Sequence, residues 1–418
     1  MVKHLTKQIK WANALSTRPS LEAAVEEVAE RANLSLQASA DLAIVFISSA
    51  FASEYTRLMP LLQEVMPVPV IIGCGGGGVI GINRQGEAQE VEEEPGLSLT
   101  LMSLPGVNVR AFHLIPEVLP DLDSPPDAWV DTIGVLPQAQ PNFILLADPF
   151  SSSINDLIQG LDFAYPGSIV LGGLASGSSV GGSSGLFCNY QLYREGTVGV
   201  ALSGNIAIET IVAQGCRPIG QPYRVVQGER NVVLALEEQA NAYVTGKGKS
   251  RKPLEVLREL IQTLSEEDRM LAQNSLFIGV ARDEFKQDLE HGDFLIRQLL
   301  GVDPRAGAIA IGDRVRPGQR IQFHLRDAHT SAEDLEMLLT KYQQKSPFPS
   351  NTAGALMFSC LGRGEGLYGC PNFDSRMFRR YLRDIPIGGF FCNGEIGPVG
   401  GSTFLHGYTS VFGIFHEP

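Results

Sequence analysis

Two short segments near the C-terminus, SCLGRGEG and FFCNGEIGP, gather Cys360, Arg363, Glu365, Cys392, Asn393 and Glu395. A guanidinium grips a carboxylate through two parallel hydrogen bonds, a carboxylate receives an ammonium, and an amide does either. These are the groups an amino-acid pocket needs, with Arg363 on the ligand carboxylate, Glu365 or Glu395 on its ammonium and Asn393 on either end. The plainer alternative is an Arg363–Glu365 surface loop and an Asn-Gly turn at Asn393 and Gly394. Two upstream clusters offer backbone instead. GCGGGGVIG, with Gly75 and Gly76, can present consecutive N–H groups to an anion or can serve a tight turn, and GLASGSS adds the hydroxyls of Ser176, Ser178 and Ser179.

Other chemistries fit less well. The glycine runs lack GxxxxGK[ST], so no lysine or hydroxyl stands ready for a nucleotide's terminal phosphates and magnesium. Cys74, Cys360 and Cys392 end apolar runs, but neither CxxC nor HxxxH accompanies them, and no metal or other cofactor is expected. A nucleophilic Cys392 would need a base, and His406 is the histidine nearest to it in sequence. A cysteine-dependent hydrolase or transferase is therefore an alternative reading, and a protein-interaction scaffold another. His324 and His329 read as ordinary polar residues. Asp148, in ADPFSSS, is expected to cap a helix at Ser151, the other use being to orient a pocket hydroxyl.

Each cluster ends the same arrangement: an apolar run, a polar loop, one amphipathic helix, and a second apolar run that dissolves into glycine. It is written from Leu42 to Gly81, from Phe143 to Ser179 and from Ala355 to Pro398. The spacing of Gly73, Gly172 and Gly388 is too uneven for a solenoid and points to a duplicated sheet unit. Helical spacing joins Leu58, Leu62 and Val65 in the first copy, Leu157, Ile158 and Leu161 in the second, and Met377, Phe378 and Leu382 in the third. A strand–helix–strand connection makes adjacent parallel strands, so the glycine loops should emerge together at strand C-terminal ends.

Between the copies the pattern looks antiparallel. Ser98–Leu104 and the run after Pro105 and Gly106 read as a hairpin, Leu186–Gly215 as a meander, and Tyr223–Glu237 as a further hairpin. Ser20 should cap a helix on Leu21, Val25 and Val28, Ser265 with Asp268 resembles a capping box, and Ser331 should cap a later helix. Two related halves, with mixed sheets and helices covering the outer faces, make the fold class α+β.

With 418 residues and 44% hydrophobic content the chain can bury a large core, and its composition is not that of a disordered chain. A net charge of −13 argues against a protein that neutralises nucleic-acid phosphates, and GKGKSRKP (246–253) reads as a solvated linker. No run of eighteen apolar residues occurs, and Lys3, Lys7, Lys10 and Arg18 occupy a leader without a signal-peptide core. The expectation is a cytoplasmic protein with reduced thiols and no membrane insertion.

GCGGGGVIG, LGGLASG, GVDPRAGAIAIGDRVRPGQRIQFHLRDAHTSAEDL and above all FCNGEIGPVG, taken in order, resemble FIST proteins over nearly the whole chain. The resemblance implies a leader and helix at 1–35, a FIST-N domain at 36–220 and a FIST-C domain at 221–418. It also implies a small-ligand sensory domain in signal transduction, with amino acids as suggested ligands. No output region accompanies these domains here, so the signal is expected to pass to a separate protein partner.

Overall fold

The computed structural model describes residues 8–177, 184–238, 250–283, 286, 288–289, 292–345 and 352–418. The chain is α+β, with mixed sheets and covering helices. The first copy runs β1 (Lys10–Ser16), α1 (Leu21–Leu36), β2 (Leu42–Ser48), α2 (Tyr55–Val65), β3 (Val70–Gly76), β4 (Gly78–Ile82), β5 (Ala88–Glu92) and β6 (Leu97–Ser103). The second repeats that order as β7 (Val107–Leu114), α3 (Pro126–Ile133), β8 (Asn142–Ala147), α4 (Ile154–Ala164), β9 (Val170–Leu174), β10 (Leu186–Cys188), β11 (Gln191–Tyr193) and β12 (Thr197–Gly204). The third opens with β13 (Ala207–Ala213).

A separate compact unit, Gln214–Leu335, interrupts the third copy. It holds β14 (Cys216–Glu229), β15 (Val232–Glu238), β16 (Ser250–Arg251), α5 (Pro253–Thr263), α6 (Glu266–Ala272), β17 (Leu276–Ala281), β18 (Phe294–Asp303), β19 (Ala308–Ile311) and β20 (Arg320–Arg326). β14 pairs with β20 along one edge and with β15 along the other, so the antiparallel sheet closes on itself through β17, β18 and β19. Register shifts beside Gln227 let the long β14 bend to serve both partners. Val225, Ile278, Ile309 and Phe323 form the core of this unit with Leu254, Leu257 and Leu260 of α5.

The third copy then continues with α7 (Ala328–Lys345), β21 (Thr352–Cys360), α8 (Glu365–Tyr368), α9 (Phe373–Tyr381), β22 (Ile387–Cys392), β23 (Glu395–Val399), β24 (Ser402–His406) and β25 (Ser410–His416). In all three copies the two apolar strands lie parallel, with Phe46 opposite Cys74, Leu145 opposite Gly172 and Phe358 opposite Phe390. The last strand of each copy returns antiparallel to the first, β6 on β2, β12 on β8 and β25 on β21. The intervening hairpin leaves its own sheet. β4–β5 joins β22, β10–β11 joins β3, and β23–β24 joins β9, so each six-stranded sheet has four strands of one copy and two of another.

One glycine per copy makes this exchange possible. A Cβ at Gly73 would stand 2.1 Å from the Val45 carbonyl oxygen, at Gly172 1.8 Å from that of Leu145, and at Gly389 1.9 Å from that of Met357. The incoming hairpins pair at these same residues, Phe187 with Gly73, Ile396 with Gly172 and Ile80 with Gly389. Both faces of the central strands are buried, which explains their unbroken apolar runs. Leu42, Ile44 and Phe46 share one core with Ile144, Leu146, Leu356 and Phe358. Ala43, Val45 and Ile47 face the side chains of α1 and α2, and Phe143 and Leu145 face those of α3 and α4.

Several local expectations are corrected. β6 and β7, on either side of Pro105 and Gly106, do not pair; the turn hands the chain from the first sheet to the second. Leu186–Gly215 is not a meander, since only β10 and β11 pair with each other while β12 and β13 belong to two further sheets. Ser331 lies inside α7 and its hydroxyl donates to the Gly215 carbonyl; Asp327 takes the Thr330 N–H at 2.7 Å instead. Asp148 accepts the Ser184 hydroxyl at 3.0 Å and α4 begins later, at Ile154, without a side-chain cap. Ser20 and Ser265 do cap α1 and α6.

Replacing Gly73, Gly172 or Gly389 by Ala is expected to cost about 4 kcal/mol or more, because the obstructing atom is backbone. Gly366→Ala, with nothing near its Cβ position, should stay within about 0.5 kcal/mol of the parent in urea unfolding. Equal losses at Gly366 and Gly389 would refute the close-approach argument.

Candidate functional site

The hairpin exchange brings the strand ends of all three copies to one place. Ser176, buried just past β9, is the junction: its N–H donates to the Gly75 carbonyl at 3.1 Å, and its hydroxyl accepts from the Gly77 N–H at 2.8 Å. The same hydroxyl donates to the Phe391 carbonyl of β22. Leu174 is held from the third copy as well, donating to the Gly394 carbonyl at 2.8 Å and accepting from the Asn393 N–H at 3.1 Å. Leu361 N–H donates to the Cys392 carbonyl at 2.9 Å, so the loops after β21 and β22 emerge side by side. Around this junction Asn393, Gly177 and Leu361 are exposed.

The bare positions of the first glycine cluster are filled from within. Tyr55 occupies the Cβ site of Gly75, Phe390 and the Gly78 carbonyl crowd that of Gly76, and the Gly75 N–H donates to the Gly185 carbonyl. Glu395 is buried and accepts the Thr409 N–H at 3.0 Å. Ser178 and Ser179 lie outside the described residues, as do positions 246–249 of the basic run.

Arg363 turns away from the strand ends. Its guanidinium is buried and grips the Asp374 carboxylate through two nitrogens, at 2.7 and 3.1 Å, while Tyr368 hydroxyl donates to Asp374 at 2.8 Å. The bidentate geometry read from the sequence thus exists with an internal carboxylate. Beside it lies Glu90 of β5, whose carboxylate accepts the Ser375 N–H in the first turn of α9 and whose own N–H donates to Asn372. Burial, and next the Asp374 carboxylate, push the Glu90 carboxyl up to about 7, against the opposing Ser375 N–H. Glu365 is exposed, and its N–H donates to Glu92 at 2.9 Å.

All six cysteines are free thiols. Cys74 and Cys392 are fully buried, and burial pushes both thiols well above the usual range; for Cys392 the Glu395 carboxylate adds to the rise. That is the reverse of what a thiolate nucleophile needs. The His406 ring is buried, with Nε2 3.0 Å from the Gly397 carbonyl oxygen. Among the described residues no three His, Cys, Asp or Glu side chains gather to hold a metal ion.

Of the residues singled out from sequence, Gly75, Ser176, Cys392, Asn393 and Glu395 belong to or adjoin the junction, and Gly76 lies in the strand leading to it. Arg363 and Glu365 belong to a second cluster with residues of β5 and α9. Sequence reasoning missed Gly77 as a donor to Ser176, and Glu90, Tyr368 and Asp374 as partners around Arg363. Asp374 sits at helical spacing inside a segment read for its apolar face; Glu90 carries no local signal, because it arrives on a hairpin from another copy.

A carboxyl raised by folding stabilises the fold fully below its unfolded value near 4.5, and that contribution is lost as the pH rises through about 7. Between those limits Glu90 should impose a loss of about 3 kcal/mol. Glu90→Gln keeps the Ser375 acceptor and is expected to flatten this slope in unfolding curves taken from pH 4.5 to 8. An unchanged slope would exclude Glu90 as its source. Brief alkylation of the native protein should label exposed Cys370 first and Cys74 and Cys392 only in denaturant, read by peptide mass spectrometry. Selective labelling of Cys392 would restore the thiol-enzyme reading.

Among the described residues no helix is long and apolar enough to cross a membrane. Uncharacterized protein Rv0628c of Mycobacterium tuberculosis is 33% identical over 402 residues, covering 96% of this chain and 98% of that protein. F-box/LRR-repeat protein At5g63520 of Arabidopsis thaliana is 26% identical over 320 residues, or 66% of this chain and 57% of that one. A solved cyanuric acid hydrolase structure spans 98% of this chain and 99% of its own at 8% identity and a TM-score of 0.35, a level from which nothing follows for this chain. Residues 41–239 match the FIST N domain and residues 253–398 the FIST C domain, domains that are generally sensory and bind small ligands. The chain belongs to the FIST family.

Proposed function

We propose that this chain is a cytoplasmic sensory protein that binds a small polar ligand, an amino acid or a similar metabolite, at its converging strand ends and signals to a separate protein partner. The observation that carries this reading is the Ser176 junction, where one side chain and its backbone hold loops from all three copies. A ligand bridging those loops would bias three sheets at once, which is what a sensor requires of its site. Asn393 offers the ligand both a donor and an acceptor, and exposed Glu365 suits an ammonium. Gly75, Gly76, Ser176, Cys392 and Glu395 make the floor in this reading, and Ser178, outside the described residues, is proposed as a further ligand contact. Arg363 acts from beneath, its pair with Asp374 fixing the loop that carries Glu365. The six free thiols agree with a reducing compartment.

A thermal-shift and native mass-spectrometry screen of amino acids and common metabolites should find a ligand that raises the melting temperature; at a hundredfold excess over Kd it should add about 2.7 kcal/mol. Asn393→Ala is expected to weaken that ligand roughly tenfold while leaving the unliganded melting temperature unchanged. A screen without a hit, or an affinity indifferent to both Asn393→Ala and Glu365→Ala, would overturn the reading.

A further inference from the structure

Helix α9 carries a feature that the strand-end site does not use. Arg376, Arg379 and Arg380 of α9 and Arg383, just beyond its end, line a cavity of about 400 Å³ with Asp384 and the β4–β5 turn at Gly86, Glu87 and Ala88. Arg376, Arg380 and Arg383 are exposed and have no ion-pair partner among the described residues; Arg379 has only Asp384, 3.9 Å away and 99% exposed. Four guanidinium groups against the carboxylates of Glu87 and Asp384 leave the groove positive in a chain of net charge −13. Like charges one turn apart destabilise a helix, and arginines elsewhere in the chain are paired, Arg57 with Glu54 and Arg297 with Asp313.

Both walls are held in place. The opposite side of α9 is buried through Met377 and Phe378, the latter stacked on Phe412 with ring centroids 5.1 Å apart. In the turn, Asn83 accepts the Gln85 and Glu87 N–H groups at 2.9 and 3.0 Å, and Gly86 takes a left-handed conformation with open space where a side chain would stand. The guanidinium groups are therefore displayed from a fixed surface, and the volume suits a small molecule.

We propose that this groove binds a small polyanion bearing at least two phosphate or carboxylate groups. Arg376 and Arg380 are one helical turn apart, about 6 Å along the axis, and Arg379 and Arg383 line the same groove. Two anionic groups on one compact ligand can each meet a guanidinium fork, which a single anion cannot do. The site is separate from the strand-end junction and does not depend on what that junction binds.

Isothermal titration of the full chain with pyrophosphate, citrate and inorganic phosphate, at about 150 mM salt, tests the proposal. Pyrophosphate or citrate is expected to bind at least roughly tenfold tighter than phosphate and to weaken with added salt. Binding of pyrophosphate alone would identify phosphate groups as the source of charge, and of citrate alone carboxylates. R376Q/R380Q should lose roughly tenfold or more with a melting temperature no lower than the parent's, while R258Q, outside the groove, should bind as the parent does. The proposal falls if neither polyanion binds, if R376Q/R380Q binds as tightly as the parent, or if the chain instead sediments with phosphatidylserine vesicles while ignoring both. A strand-end ligand found by screening should keep its affinity in R376Q/R380Q, so failure of either site is read independently.

Discussion

The larger unit rests on unfinished sheet edges. β3, β9 and β22 are buried strands, and without a neighbour each would leave a row of N–H and C=O groups unpaired on its far side. Each edge is completed by a hairpin from a different copy, β10–β11 on β3, β23–β24 on β9 and β4–β5 on β22. No copy can satisfy its own backbone, so the three are bound to fold together. The glycines opposite Val45, Leu145 and Met357 are the local condition for this exchange, since any side chain there meets a carbonyl oxygen.

The exchange is reinforced by polar ties from the borrowed hairpins. Tyr190, beyond β10, bonds both backbone groups of Val68 ahead of β3; Thr403 of β24 bonds Asp162 of α4; Glu90 of β5 holds the N-terminus of α9. Only the last of these buries a carboxylate beside an existing ion pair. Glu90 Oε2 is buried without a hydrogen-bond partner among the described residues, while Arg363 neutralises Asp374. This seam consequently concentrates the electrostatic cost that the other two avoid.

Legibility in the sequence followed the range of the interaction. The parallel pairs β2–β3, β8–β9 and β21–β22 were readable because apolar runs flanking one amphipathic helix encode them locally. The Pro105–Gly106 turn was equally readable as a turn, yet a turn does not say whether the chain re-enters the same sheet or the next. Alternation in Ser98–Leu104 and in the strands after Leu186 is the same whichever neighbour supplies the hydrogen bonds. Arg363 illustrates the limit for the site: its chemistry is evident from its type, but nothing local joins it to Asp374, eleven residues on in the first turn of α9. The arginines at 376, 379, 380 and 383 are hidden in the same way, lying among the apolar Met377, Phe378 and Leu382 that give the segment its helical signal.

The glycines themselves now divide by role. At Gly75 and Gly76 the missing side chains make room for Tyr55 and Phe390, so the most glycine-rich copy is explained by packing. What differs between the copies is then the polar tail: Gly77 donates only its backbone N–H, Ser176 adds a hydroxyl already shared between the other two copies, and Asn393 alone presents an exposed side-chain amide. Discrimination among small polar molecules requires directional groups that are not already spent on the protein. By that criterion, if the strand ends bind the proposed ligand, selectivity would be carried by the third copy, with the first two supplying the rigid floor against which it acts.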